Sequence, residues 1–127
     1  MIERAKDRRI YDRLETAEIT AWLGRDPSDR YDVIAICDTL IYFGDLRQVI
    51  PLATRHLTAG GILAFTVEQG DTYPFRLTDS GRFDHHRDHI EEVAAESSLR
   101  IITMAEETLR YEYGRPVIGS VVVLAPH

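Results

Sequence analysis

Cysteine is almost missing from this chain: Cys37 is the only one among 127 residues. No intrachain disulfide can form, and a reducing compartment is the natural expectation. Basic charge is also short, with 15 Lys and Arg against 21 Asp and Glu and a net charge of -6. Such a surface lacks the basic field that displaces counterions from phosphates, so nucleic acid is excluded as the principal partner. The pair Arg8-Arg9 is too short to reverse that balance. No apolar run approaches the ~20 residues that cross a bilayer, and no membrane partner is expected. The opening stretch MIERAKDRRIYDRL is charged throughout and has no apolar core of a secretory signal. A cytoplasmic location follows as an expectation. Repeats and low-complexity stretches are absent too.

What is present is ordinary globular composition, 44% hydrophobic and 28% charged, in a chain of single-domain length. Ile2, Ala5 and Ile10 among charges suit the end of a helix over residues 1–12. Leu14 to Ile19 alternates and reads as a short strand, followed by a helical turn over Thr20 to Leu23. Arg25 to Asp29 reads as a loop around Pro27. The clearest strand is Tyr31 to Asp38, a continuous apolar run of the kind covered by helices on both faces of a parallel sheet.

Asp45 then caps a helix whose face is Leu46, Val49, Ile50, Ala53 and Leu57, and Gly60-Gly61 stops it. Ile62 to Glu68 is a second buried strand. Residues 69–87 form a long polar connection, and a helix follows over 87–97 with Ile90, Val93 and Ala94 inward. Strands over 100–109 and 117–124, joined by Tyr113-Gly114-Arg115-Pro116, form an antiparallel hairpin. The expectation is one α/β layer with an antiparallel edge.

Several of these segments, in this order, resemble the downstream half of the class I S-adenosylmethionine-dependent methyltransferases. Asp32 to Asp38 with Thr39 to Leu46 resembles the family's fourth strand and its loop. Leu57-Thr58-Ala59-Gly60-Gly61-Ile62-Leu63 is similar to the family's L-x-P-G-G-x-L stretch, with Ala59 for proline. Leu77 to His85 and the final stretch Leu109 to Gly119 resemble a bacterial subgroup whose methyltransferase domain often follows tetratricopeptide repeats. The resemblance implies a single partial Rossmann-like domain over 1–127, with strands similar to the family's third to seventh. It also marks a departure. The family's glycine-rich loop and the acidic residue that holds ribose are not present, so a missing N-terminal half is expected. Met1 then stands as an internal methionine of a longer ancestor or as a misassigned start.

The resemblance implies S-adenosylmethionine as cofactor and a small-molecule methyl acceptor as substrate. Glu18 takes the position that meets the adenine amino group and Ile19 flanks the ring, although Glu18 also reads as a solvated strand-end acid. Cys37 and Asp38 line the methionine end, with Tyr42 nearby; an isolated Cys37 also reads as a small core residue. Arg82 and His85 lie over the acceptor pocket, Arg82 to hold an anion and His85 to take a proton. They read equally as loop residues.

Four residues separate His85 from His89, a spacing that puts both on one helix face and invites a metal reading. With no second cluster of ligands, no metal is expected. The fourth-strand edge, Val33 to Cys37, lacks the strands that would cover it, and self-association through it is expected. Three functions therefore stay open. They are a methyltransferase portion whose activity as an isolated chain is unsettled, a degenerate interaction module of that fold, and a small metal protein.

Overall fold

The computed structural model describes Ile2, Arg4, Arg8, Ile10, Tyr11 and residues 13–127. The helix end expected over residues 1–12 falls largely outside them. The elements run α1 (Ile19–Leu23), β1 (Tyr31–Ile36), 3-10 turns at Leu40–Tyr42 and Leu46–Gln48, and α2 (Ile50–Thr54). There follow β2 (Leu57–Gln69), β3 (Phe75–Leu77), β4 (Phe83–His85), α3 (Arg87–Glu96), β5 (Leu99–Glu112) and β6 (Arg115–Pro126).

All six strands form one open mixed sheet built around β2. On one edge β2 takes β1 in parallel, with Ile34 opposite Leu63 and Ile36 opposite Phe65. Further along the same edge it takes β4 in parallel, Glu68 opposite Asp84. Its other edge pairs antiparallel with β6 over Leu63–Glu68 and Gly119–Leu124. The β5–β6 hairpin turns at Tyr113 and Gly114, both at positive φ (52° and 76°), as a right-twisted two-residue turn requires. This is the expected α/β layer with its antiparallel C-terminal hairpin.

Among the described residues the core lies on one face of the sheet. Leu63, Phe65 and Val67 of β2 point into it with Val122 and Leu124 of β6. They meet Leu40, Leu46, Val49 and Ile50 from the turns and α2, and Ile90, Val93 and Ala94 from α3. Register puts Val33 and Ala35 of β1, Ile62 and Ala64 of β2, and Val123 of β6 on the opposite face. No described element covers that face, and Val33 is 60% exposed. The expectation that helices cover both faces is corrected here: the described residues supply helices for one.

Other boundaries shift for local reasons. Leu14 to Glu18 forms no strand, because its polar side chains serve α1 instead: Glu15 accepts from the Trp22 indole at 2.7 Å and Glu18 caps the helix. The helix expected from Asp45 breaks into a 3-10 turn and the five-residue α2, which restarts where Pro51, lacking an N–H, is tolerated. Gly60 and Gly61 do not stop it. They lie inside β2, in an irregularity where the register jumps between Tyr31 and Val33, and a Cβ on Gly61 would sit 3.0 Å from the Tyr31 carbonyl. The connection over 69–87 contains β3 and β4.

Candidate functional site at the strand ends

Parallel strands β1, β2 and β4 bring their C-terminal ends to one side, where ligands of open α/β sheets bind. Cys37 and Asp38 leave β1 there. Asp38 adopts φ +52°, uncommon for a residue with a side chain, and its N–H donates to Thr66 Oγ1 at 3.0 Å. Its carboxylate is 70% exposed and lies 3.3 Å from the Arg110 guanidinium. The lone cysteine, Cys37, is exposed, and its carbonyl accepts from Thr39 Oγ1. Tyr42, four residues beyond Asp38, is 62% exposed. These three expected cofactor residues therefore share one loop.

Arg110 is the hub of a charge network that sequence reading missed. It reaches Asp38, Glu68 at 2.9 Å and Glu112 at 3.1 Å. Arg82 reaches the same two glutamates, at 2.6 and 2.9 Å. The two guanidiniums share the Glu68 and Glu112 carboxylates, which offset the repulsion between them. Arg110 foremost, then Arg82, holds the Glu112 carboxyl below the usual range. Arg82 is thus neutralised within the protein and has both engaged edges turned to carboxylates rather than to an incoming anion. Glu68 carried a usable signal, since a carboxylate closing an apolar strand needs a partner. Arg110 and Glu112 carried only their i, i+2 spacing.

His85 is 1% exposed, and its Nε2 sits 2.8 Å from the Phe43 carbonyl and 3.0 Å from that of Gly44. Its Nδ1 is buried, so neither ring nitrogen opens toward an acceptor in this arrangement. Burial pushes its pKa down. His89, fully buried, accepts from the Leu46 N–H at 3.1 Å through Nε2, and burial lowers its pKa also. The two rings stack, with centroids 6.2 Å apart. Among the described residues no group of three or more His, Cys, Asp or Glu side chains converges to hold a metal ion.

Glu18 and Ile19 stand apart from that loop. Ile19 lines a hollow of about 820 Å³ on the core face of β1, with Trp22, Tyr31, Ile34 and Ile36 as its apolar wall and Arg13 and Asp29 among its polar lining. Glu18 accepts from the Thr20 hydroxyl and from the backbone of Ala21 and Thr20, bonds that lower its pKa.

Neither a protein-family model nor a curated protein matches the sequence. Solved structures do. An S-adenosylmethionine-dependent methyltransferase from Clostridium acetobutylicum ATCC 824 superposes with TM-score 0.64 at 14% identity, covering 98% of this chain and 69% of its own. Magnesium protoporphyrin IX methyltransferase from Synechocystis PCC 6803, with S-adenosylmethionine bound, gives 0.66 at 10% identity over 99% of this chain and 52% of its own. The chain has the S-adenosylmethionine-dependent methyltransferase fold. A pericyclic reaction enzyme also matches, with TM-score 0.55 at 14% identity over 80% of this chain and 28% of its own. Likeness of fold does not by itself fix the chemistry. In most of these comparisons the chain spans between a quarter and two thirds of the matched protein's length.

Proposed function

We propose that these 127 residues are the downstream portion of an S-adenosylmethionine-dependent methyltransferase acting on a small molecule. The observation that carries this reading is the superposition of 98–99% of the chain on such enzymes. The residues fit the cofactor in kind. The Ile19, Trp22 and Ile36 wall suits an adenine ring, whereas Glu18 is not part of that lining and has both carboxylate oxygens engaged in capping α1. Asp38, with Cys37 and Tyr42, offers an exposed carboxylate to the ammonium of the methionine end. When bound, the cofactor supplies an electrophilic methyl group on a sulfonium. The chain's part is to position an acceptor and exclude water, which suffices for an in-line displacement.

No glycine occurs before Gly24, so on this reading the glycine-rich turn and the ribose-holding carboxylate come from another segment or a partner polypeptide. The uncovered sheet face and the outer edge of β1 are the surfaces such a half would cover. Without it, the same surfaces pair with a second copy.

Calorimetric titration with S-adenosylhomocysteine tests this function. Saturable one-to-one binding, by the chain alone or after addition of the glycine-rich half, is expected. No binding in either state would overturn it. A second reading, a non-enzymatic module of the same fold, is favoured by the internal pairing of Arg82 and His85, which leaves neither an anion holder nor a base open. It expects stable folding and silence toward the cofactor even in the completed assembly.

A further inference from the structure

The segment Phe43–Leu46 is held from one side by two imidazoles, and the atoms they contact dictate their protonation. Carbonyl oxygens only accept, so His85 Nε2, facing Phe43 and Gly44, carries its proton. A backbone N–H only donates, so His89 Nε2, facing Leu46, is a bare lone pair. In neutral rings the remaining nitrogens are then opposite in kind: His85 Nδ1 is an acceptor and His89 Nδ1 carries hydrogen. We propose that His85 and His89 are positioning residues, a clasp of opposite tautomers that sets the Phe43–Leu46 turn at the mouth of the sheet. Its relevance to cofactor and acceptor placement rests on the methyltransferase reading, since Asp38 and Tyr42 lie on the same loop; the clasp itself does not.

The surroundings fit a clasp better than filler. The turn approaches so closely that a Cβ on Gly44 would lie 2.8 Å from the Phe75 ring and 3.0 Å from that of Phe83. Phe75 packs edge-on to His89 with centroids 5.4 Å apart and tilts against His85 at 6.4 Å. The charged groups facing His89 are Asp45 on the turn, 3.8 Å from Nε2, then Arg47, with Glu92 and Glu96 on its own helix. His85 faces Asp84 and His89. Protonating His89 at Nε2 would set two donors against each other at Leu46, so the turn is held only while that ring is neutral.

The test needs no cofactor. Long-range proton–nitrogen NMR on the whole chain at about pH 7.5, above the ordinary histidine range, is expected to show His85 protonated at Nε2 and His89 at Nδ1. The Leu46 amide should exchange about tenfold faster in His89→Leu. His89→Gln, which can again present an acceptor, should restore most of that protection. His85→Leu should shift the Tyr42 and Phe43 amides while His85→Gln, which keeps a donor, shifts them less; the β5–β6 hairpin should stay unmoved in both. Like tautomers on the two rings, or Leu46 exchange indifferent between Gln and Leu at position 89, would overturn the clasp. If a Leu variant fails to fold, the tautomers of the unsubstituted protein decide alone. Silence in the S-adenosylhomocysteine titration would bear on the methyltransferase reading and leave the clasp standing.

Discussion

Asp38 and Ser98 both sit at positive φ, 52° and 58°, yet the residues differ in what their side chains do. Ser98 follows the C-terminal end of α3, where a left-handed residue closes a helix and glycine is the usual choice. Ser98→Gly should raise stability by about 1 kcal/mol, read as a shift of the urea midpoint. Asp38 is well exposed and its pair with Arg110 is long, so Asp38→Asn should change stability by less than about 0.5 kcal/mol. On the proposed function the same substitution should weaken S-adenosylhomocysteine binding. A loss of affinity with unchanged folding would assign the strained aspartate to the ligand. Equal affinity would leave it to the loop. Arg110→Ala removes one cation from three carboxylates at once and should cost about 1–2 kcal/mol, less in high salt, given that the side chain is a quarter exposed.

At the scale of elements, the hairpin is the most sequence-encoded part of the chain. Its two strands flank the turn residues Tyr113 and Gly114, and Gly114 supplies one of two left-handed positions. Tyr113→Asn, a better residue at the other, should add a few tenths of a kcal/mol in chemical denaturation. β1, most of β2 and α3 were equally legible, because each is an apolar run or a periodic face longer than one turn. The short strands β3 and β4 were not: Phe75–Leu77 and Phe83–His85 become strands only by pairing with each other and with the end of β2. The helix expected from Asp45 onward is broken because Pro51 has no N–H to donate to the Arg47 carbonyl, a gap that apolar periodicity does not register. The candidate site was half legible. Asp38 and Tyr42 follow from their place after an apolar strand, whereas Arg110 is 72 residues from the aspartate it meets, a distance no local pattern bridges.

For the whole molecule, pH reports on the buried histidines. Burial lowers the pKa of His85 and His89 in the folded state, so the unfolded chain binds protons first as pH falls. Their contribution is fully present above about pH 6.5 and declines below it until each folded-state pKa is reached. With both rings titrating, stability should fall by up to about 2.7 kcal/mol per pH unit in that window. The double variant His85→Gln, His89→Gln should flatten the slope, as measured by urea unfolding at several pH values. Assembly is the other whole-molecule property. The bare face around Val33 and the outer edge of β1 predict concentration-dependent self-association by light scattering, and Val33→Lys should lower the apparent mass. A monomer at micromolar concentration for the unsubstituted chain would sink that expectation.

The pairing of β2 with β6 also sets a clock on synthesis. Leu63 leaves the ribosome 61 residues ahead of its partner Leu124, which at about 5–20 residues per second is a delay of roughly 3–12 s. Through that interval the strand around which the sheet is built has β1 on one edge and nothing on the other. The nascent chain is therefore a natural client for a chaperone until its last thirty or so residues emerge. Codons that slow translation between α3 and β6 should lower soluble yield without altering the finished protein.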